Sequence, residues 1–130
     1  MADRSGDWLA QAQRDLEVAA VMRERGTHEW ACFAAQQAAE KALKAANYSR
    51  LRESRTHLLT QLIRDLLPEA PETILDCARV LDSYYIPTRY ANGHDEGAPF
   101  THYGSLQSQQ AIEYAGVLIN FARSHMAESR

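Results

Sequence analysis

The chain has 130 residues, 45% apolar and 24% charged, an ordinary globular balance that excludes a disordered or fibrous protein and allows one core but not two. Its formal net charge of −3 excludes a general nucleic-acid coat, which needs a basic surface to displace counterions, so any phosphate site has to be local. Cys32 and Cys77 lack metal-ligand spacing and read as reduced, core-packed thiols. With an acidic start and no run near the ~20 apolar residues of a membrane span, a cytoplasmic protein without a membrane segment is expected.

Trp8, Leu9, Ala12, Leu16, Ala19 and Ala20 recur at helical spacing and predict a first helix closed near Gly26. Thr27 can cap a second helix, Glu29 suits the positive end of its dipole, and the pattern runs to about Asn47. Trp30 to Ala46 is rich in alanine, which lets neighbouring backbones come close, so this helix is expected to be central. Tyr48 to Arg55 breaks the pattern as a connector with three arginines. Thr56 can cap a third helix that buries Leu58, Leu59, Leu62, Ile63, Leu66 and Leu67 and ends at Pro68. Pro71 opens a fourth, with Ile74, Ala78, Leu81 and Tyr85 at helical spacing, which stops before Pro87. Residues 86–104 hold two prolines, three glycines and no stripe, and predict a long loop of the kind that often carries function. A last helix from about Ser105 to Met126 buries Ala111, Tyr114, Ala115, Leu118, Phe121 and Ala122. No strand is needed, and the short connections predict an all-α, up-and-down bundle of about five helices, one domain over residues 1–130.

Two stretches exceed what a plain bundle requires. Between Ala34 and Lys44, the side chains of Gln36, Glu40 and Lys44 share a face, with Gln37 and Lys41 close by. The plainest reading is a solvated stripe whose Glu40–Lys44 pair is worth about 0.3–0.5 kcal/mol. The second stretch, Leu81 to Tyr90, sets Arg89 among tyrosines at a helix exit. A guanidinium offers phosphate a rigid fork of donors, and aromatic rings stack on bases or on the guanidinium itself. Alternatively, Arg89 pairs with Asp82 or caps helix carbonyls and orders the loop with no ligand. His28 and His125 read as solvated helix-end groups, whereas His94 and His102 share the loop with Asp95 and Glu96. These four are scattered without the spacing that preorganises a metal shell, so neither metal nor cofactor is expected. A Gly-rich phosphate loop and a nucleophile elbow are both missing, so independent nucleotidyl transfer is not expected either.

The run Gln36 to Lys44, His57 at the head of the third helix, and Leu81-Asp82 followed by Tyr85-Ile86-Pro87-Thr88-Arg89-Tyr90 together resemble the HEPN domain, in its Tyr-Ile-Pro-Thr-Arg-Tyr branch. The resemblance spans nearly the whole chain. It implies an up-and-down bundle, a homodimer, and frequent association with a separately encoded minimal nucleotidyltransferase in a toxin–antitoxin type operon. It also implies nucleotide binding and, in other branches, metal-independent RNA cleavage. On that basis the leading expectation is a protein that binds nucleotide or RNA phosphates near Arg89 and Tyr90, assisted by Lys41, Lys44 and His57, and that regulates or partners the transferase. One alternative is an endoribonuclease in which Arg89 stabilises the phosphorane charge and His94 moves protons, the two acting across a dimer. The family's spacing of four to six residues between the two also occurs in Arg23 with His28 and in Arg50 or Arg52 with His57, so only position singles out Arg89 and His94. In addition, Ala91 stands where this branch usually has proline. A further alternative is an interaction module whose polar helix faces serve only dimer or partner contact.

Overall fold

The computed structural model describes residues 3–127. Five α-helices, α1 (Ser5–Glu24), α2 (His28–Ser49), α3 (Leu59–Leu66), α4 (Glu72–Asp82) and α5 (Ser105–Ser124), form an all-α bundle with no strand among the described residues. As the alanine content predicts, α2 is central: it packs along α1 and α5 and also touches α3 and α4. Ala31, Ala35, Ala38, Ala39, Ala42, Ala45 and Ala46 are fully buried there, and their short side chains let three helix backbones approach closely. Leu43, Leu59, Leu62, Ile63, Leu81 and Leu118 fill the wider gaps, each contributing roughly 1.5–3 kcal/mol of burial. Within the described residues, no helix is long and apolar enough to cross a membrane.

Backbone geometry explains where the helices stop. Gly26, at φ +79°, follows α1 while Thr27 N–H bonds the Met22 carbonyl and Gly26 N–H that of Arg23, a Schellman closure that needs the left-handed conformation glycine adopts freely. The end of α2 repeats the motif with Leu51 at φ +62°, two residues beyond the sequence expectation. Thr27 does not cap α2 through its side chain, because its hydroxyl donates back to Met22.

Three expected boundaries and several expected burials shift. α3 begins at Leu59 rather than after Thr56, because Thr56 Oγ1 accepts from Leu58 N–H in a local turn that leaves Leu58 55% exposed. α4 ends at Asp82, so Tyr85 lies in the exit turn instead of on the helix. Pro87 has no N–H for the Ser83 carbonyl and disfavours a helical Ile86, which stops the helix before its apolar pattern does. α5 ends at Ser124 instead of near Met126. Ala20 is exposed, whereas Leu67, Ile74, Tyr85 and Tyr114 are half-buried. The loop gains two single 3₁₀ turns, Ala91–Gly93 and Pro99–Thr101.

Cys32 is buried, and desolvation with help from Glu29 pushes its thiol up to about 12. Cys77 is half-buried against the core, and burial raises its thiol too. Thiolate, not thiol, attacks alkylating reagents. Native protein at neutral pH should therefore leave Cys32 unlabelled by iodoacetamide and label Cys77 slowly, with both reacting in denaturant. Mass mapping of the labelled peptides checks this, and fast native labelling of Cys32 would contradict its placement.

Candidate functional site

The chain leaves α4 through consecutive turns that its own side chains pin down. Tyr84 N–H bonds the Leu81 carbonyl, the buried Thr88 hydroxyl donates to the Tyr84 carbonyl at 2.6 Å, and Arg89 N–H bonds the Ile86 carbonyl. Gly93 crosses just beneath: a Cβ there would meet Pro87 Cα at 2.9 Å, so only glycine fits. The turn presents Tyr85, Arg89 and Tyr90 on one surface beside Phe33 of α2.

Arg89 is the centre of that surface. Its Nε and Nη2 donate to the Tyr85 carbonyl at 2.9 and 2.7 Å, a carbonyl of the exit turn rather than of the helix, where one sequence alternative placed the cap. It does not pair with Asp82, whose carboxylate accepts instead from Leu59 N–H at 2.7 Å and from Thr60. The guanidinium lies 4.2, 4.8 and 5.1 Å from the ring centroids of Phe33, Tyr85 and Tyr90. Two bonds to one carbonyl leave three of its five N–H donors free, and no carboxylate pairs with it among the described residues. Aromatic faces stabilise the cation while excluding water from one side of it.

Behind this surface the polar row on α2 is not a solvated stripe. Gln36, Glu40 and Lys44 are 0%, 4% and 7% exposed, because their side of α2 faces the entry to α3. Lys44 Nζ donates to Glu40 Oε2 at 3.1 Å, and Gln36 Nε2 reaches Glu40 Oε1 and the His57 carbonyl. His57 Nδ1 lies 3.2 and 3.1 Å from the two Glu40 oxygens, and the ring stacks on Tyr85 with centroids 4.6 Å apart. The fold thus brings His57, Arg89 and Tyr90 to one face and joins Lys44 to it only through Glu40.

Lys41 lies apart from them, half-buried in an ion pair with Asp15 of α1. It lines two grooves between α1 and α2. One, of about 290 Å³, is bordered by Trp30, Phe33 and Gln37 and opens beside the Arg89 cage. The other, about 450 Å³, is lined by Trp8, Gln11 and the exposed Arg4–Asp7 pair, whose charges already satisfy each other. His94 turns elsewhere: its Nε2 bonds the Pro87 carbonyl at 2.7 Å, and its ring stacks on His102 at 4.0 Å. His102 in turn bonds the Glu96 carbonyl. Arg89 and His94 of the chain are therefore committed to different carbonyls. No group of three metal-ligating side chains forms among the described residues.

Sequence reasoning missed Phe33 and Tyr85 as parts of the site and Glu40 as its anchor. Phe33 was legible only through its i+4 and i+8 neighbours Gln37 and Lys41, and nothing local marked Glu40 as buried.

A family model described as the HEPN domain matches residues 5–125. The chain belongs to the HEPN family. That match contains every residue of the Arg89 surface and of the Glu40 row. The HEPN fold is also shared with solved structures. TT1696 from Thermus thermophilus is 40% identical, with a TM-score of 0.90 over 95% of this chain and 99% of that one. ST0689, an archaeal HEPN homologue, is 36% identical, with a TM-score of 0.83 over 97% of this chain and all of that one. A HEPN domain protein from Thermotoga maritima, tm0613, is 29% identical, with a TM-score of 0.72 over 91% of this chain and 95% of that one. No curated protein matches.

Proposed function

We propose that this HEPN protein binds nucleotides or RNA through a phosphate held at Arg89 and flanked by Tyr90. The observation that carries the reading is the Arg89 cage: a cation with no carboxylate partner among the described residues, fixed by the Tyr85 carbonyl and surrounded by three aromatic rings. A preorganised guanidinium loses little entropy on meeting phosphate, and a neighbouring ring offers a base its π face. The groove beside Phe33 and Trp30, with Lys41 at its edge, is close to the size of a small-ligand site. Lys44 contributes indirectly in this reading, by holding Glu40.

The broader role we propose is regulatory: a cytoplasmic homodimer that partners a separately encoded minimal nucleotidyltransferase in a toxin–antitoxin type pair, as its resemblance implies. Leu58, Ile86 and Tyr90, all exposed near the cage, supply apolar surface for a second subunit or partner.

Calorimetric titration of the purified protein with AMP, ATP and single-stranded RNA tests the binding reading. Arg89→Ala is expected to weaken binding at least tenfold, in line with about 1.5–3 kcal/mol for a charge-assisted hydrogen bond, and Arg89→Lys to recover only part, since an ammonium lacks the planar fork. Wild-type protein that takes up none of these ligands, or an alanine variant that binds as well, would sink the reading. Partner binding that survives Arg89→Ala, with no ligand found, would favour the interaction module.

A further inference from the structure

The loop between the α4 exit and α5 is pinned by two histidines lying face to face. His94 and His102 stack with ring centroids 4.0 Å apart and planes 3° from parallel, and Tyr103 meets His94 edge-on at 5.8 Å. A carbonyl oxygen only accepts, so each ring commits an Nε2 proton outward: His94 to the Pro87 carbonyl at 2.7 Å, His102 to the Glu96 carbonyl at 2.6 Å. Any further proton must add at Nδ1, and neither Nδ1 has a hydrogen-bond partner among the described residues. Nor do the surroundings supply a counterion. Tyr84 from the α4 exit, Tyr103 at the entry to α5 and Cys32 of α2 all keep their protons, because burial pushes Tyr84 and Cys32 up to about 12 and raises Tyr103 as well. His28 of α2 is engaged by Ser108 at 2.9 Å, and the Arg89 guanidinium lies over Phe33. Asp95 and Glu96, the carboxylates of the loop, form no ion pair with either ring among the described residues.

One charged ring lying on a neutral one meets no like charge, whereas two charged rings would set like charges 4.0 Å apart with no carboxylate between them. We propose that the His94–His102 stack is an acid-sensitive clasp, which stays closed with up to one proton on the pair and opens when both rings are charged, releasing the Pro87 carbonyl and freeing the loop from Ala91 to Gly104. In the open loop each histidine takes its proton alone, near the ordinary value of about 6.5. Below that pH the open form binds one proton more than the closed form. Closure is therefore strongest above about 6.5 and weakens as pH falls, the opening constant rising toward a limit of about tenfold per pH unit. The clasp reaches the candidate site through the backbone: Pro87 lies against Gly93 and precedes Thr88 and Arg89 in the exit turn, so opening removes support from beneath that turn. This inference goes beyond the phosphate reading of Arg89 and does not depend on it.

Amide hydrogen exchange of the full chain tests the clasp at Gly93, His94, Thr101 and His102, whose N–H groups bond carbonyls of the same loop. Expressed as protection factors, the data are free of the intrinsic pH dependence of exchange. Protection at these four amides is expected to fall about tenfold between about pH 8 and pH 5, while the amides of α2 keep theirs. His102→Gln retains an N–H for the Glu96 carbonyl but cannot take a proton, so its loop should be equally protected at both pH values. No fall in wild-type protein, or the same fall in His102→Gln, overturns the clasp. If that variant leaves the loop open at both pH values, the wild-type ring protons decide by NMR titration. Two proton uptakes by His94 and His102 separated by more than about one pH unit support the clasp, and two coincident, independent uptakes overturn it.

Discussion

Replacing Lys44 with alanine is expected to lower the unfolding free energy by about 3–5 kcal/mol, the cost of orphaning one member of a buried ion pair. Both side chains are less than a tenth exposed, so water cannot take over the lost interaction. Glu40 would keep only Gln36 and His57 as donors, and their hydrogen bonds offset part of the lost interaction. The loss should therefore fall toward the lower end of that range. At roughly 3 °C per kcal/mol for a chain of this length, the thermal midpoint would drop by about 10 °C. Removing both charges together, as Lys44→Met with Glu40→Leu, should recover most of the stability, because the pair's attraction and its desolvation nearly cancel. Chemical denaturation of the two single variants and the double closes the cycle. Lys41→Ala is the internal comparison: its pair with Asp15 is partly solvated, and about 1 kcal/mol is expected. A Lys44→Ala loss no larger than the Lys41→Ala loss would mean that Glu40 is not buried as described.

Asp82→Ala is expected to cost about 2–3 kcal/mol and to release α3 before the rest of the bundle. α3 has only eight residues, and its own N-cap, Leu58, has no side-chain acceptor, so the carboxylate of Asp82 caps it from the end of α4. Without it, the N–H groups of Leu59 and Thr60 lose their acceptors, and a helix this short does not hold by propensity alone. Asp82→Asn keeps one carbonyl oxygen and should lose about half as much. Hydrogen exchange at the amides of residues 59–63 would show the effect, and exchange that rises equally in every helix would refute local release.

The pH dependence follows from the same burial. Desolvation raises the Asp82 carboxyl above its ordinary 3.8, against the bonds from Leu59 and Thr60 that lower it. The folded state therefore holds the Asp82 proton more tightly than the unfolded state. This group's contribution is largest below 3.8, declines as pH rises from there through the raised folded value, and is constant above it. Asp82→Asn, which cannot ionise, should remove that decline, so the stability gap between wild type and variant is expected to change across that window and nowhere higher.

The helices themselves were legible because burial imposes a 3.6-residue period on the pattern whatever the neighbours are. The alanine run from Ala31 to Ala46 announced a central helix by size alone: only small side chains allow two neighbours to pack along it. Arg89 and Tyr90 were legible as a candidate site because a guanidinium among tyrosines suits a phosphate and a base, although the other use open to it, holding a backbone carbonyl, is one it also has. Helix ends were less so. Thr56 looked like a cap and Tyr85 like a core position, and each was overruled by a distant or non-periodic constraint, Asp82 for α3 and Pro87 for α4.

By itself, the sequence determined the all-α class, the central α2, most of the buried apolar positions and the candidate Arg89 segment, all consequences of local periodicity and residue type. Only the tertiary structure decided that Gln36, Glu40 and Lys44 are buried, that Glu40 meets His57, and that Phe33 lies under Arg89. The reason is physical. A polar row reads the same whether it faces water or another helix, and the difference is set by what α3 and the α4 exit place against it. Periodicity carries no information about contacts 17 residues apart, such as Glu40 with His57, because they form only when separate helices pack.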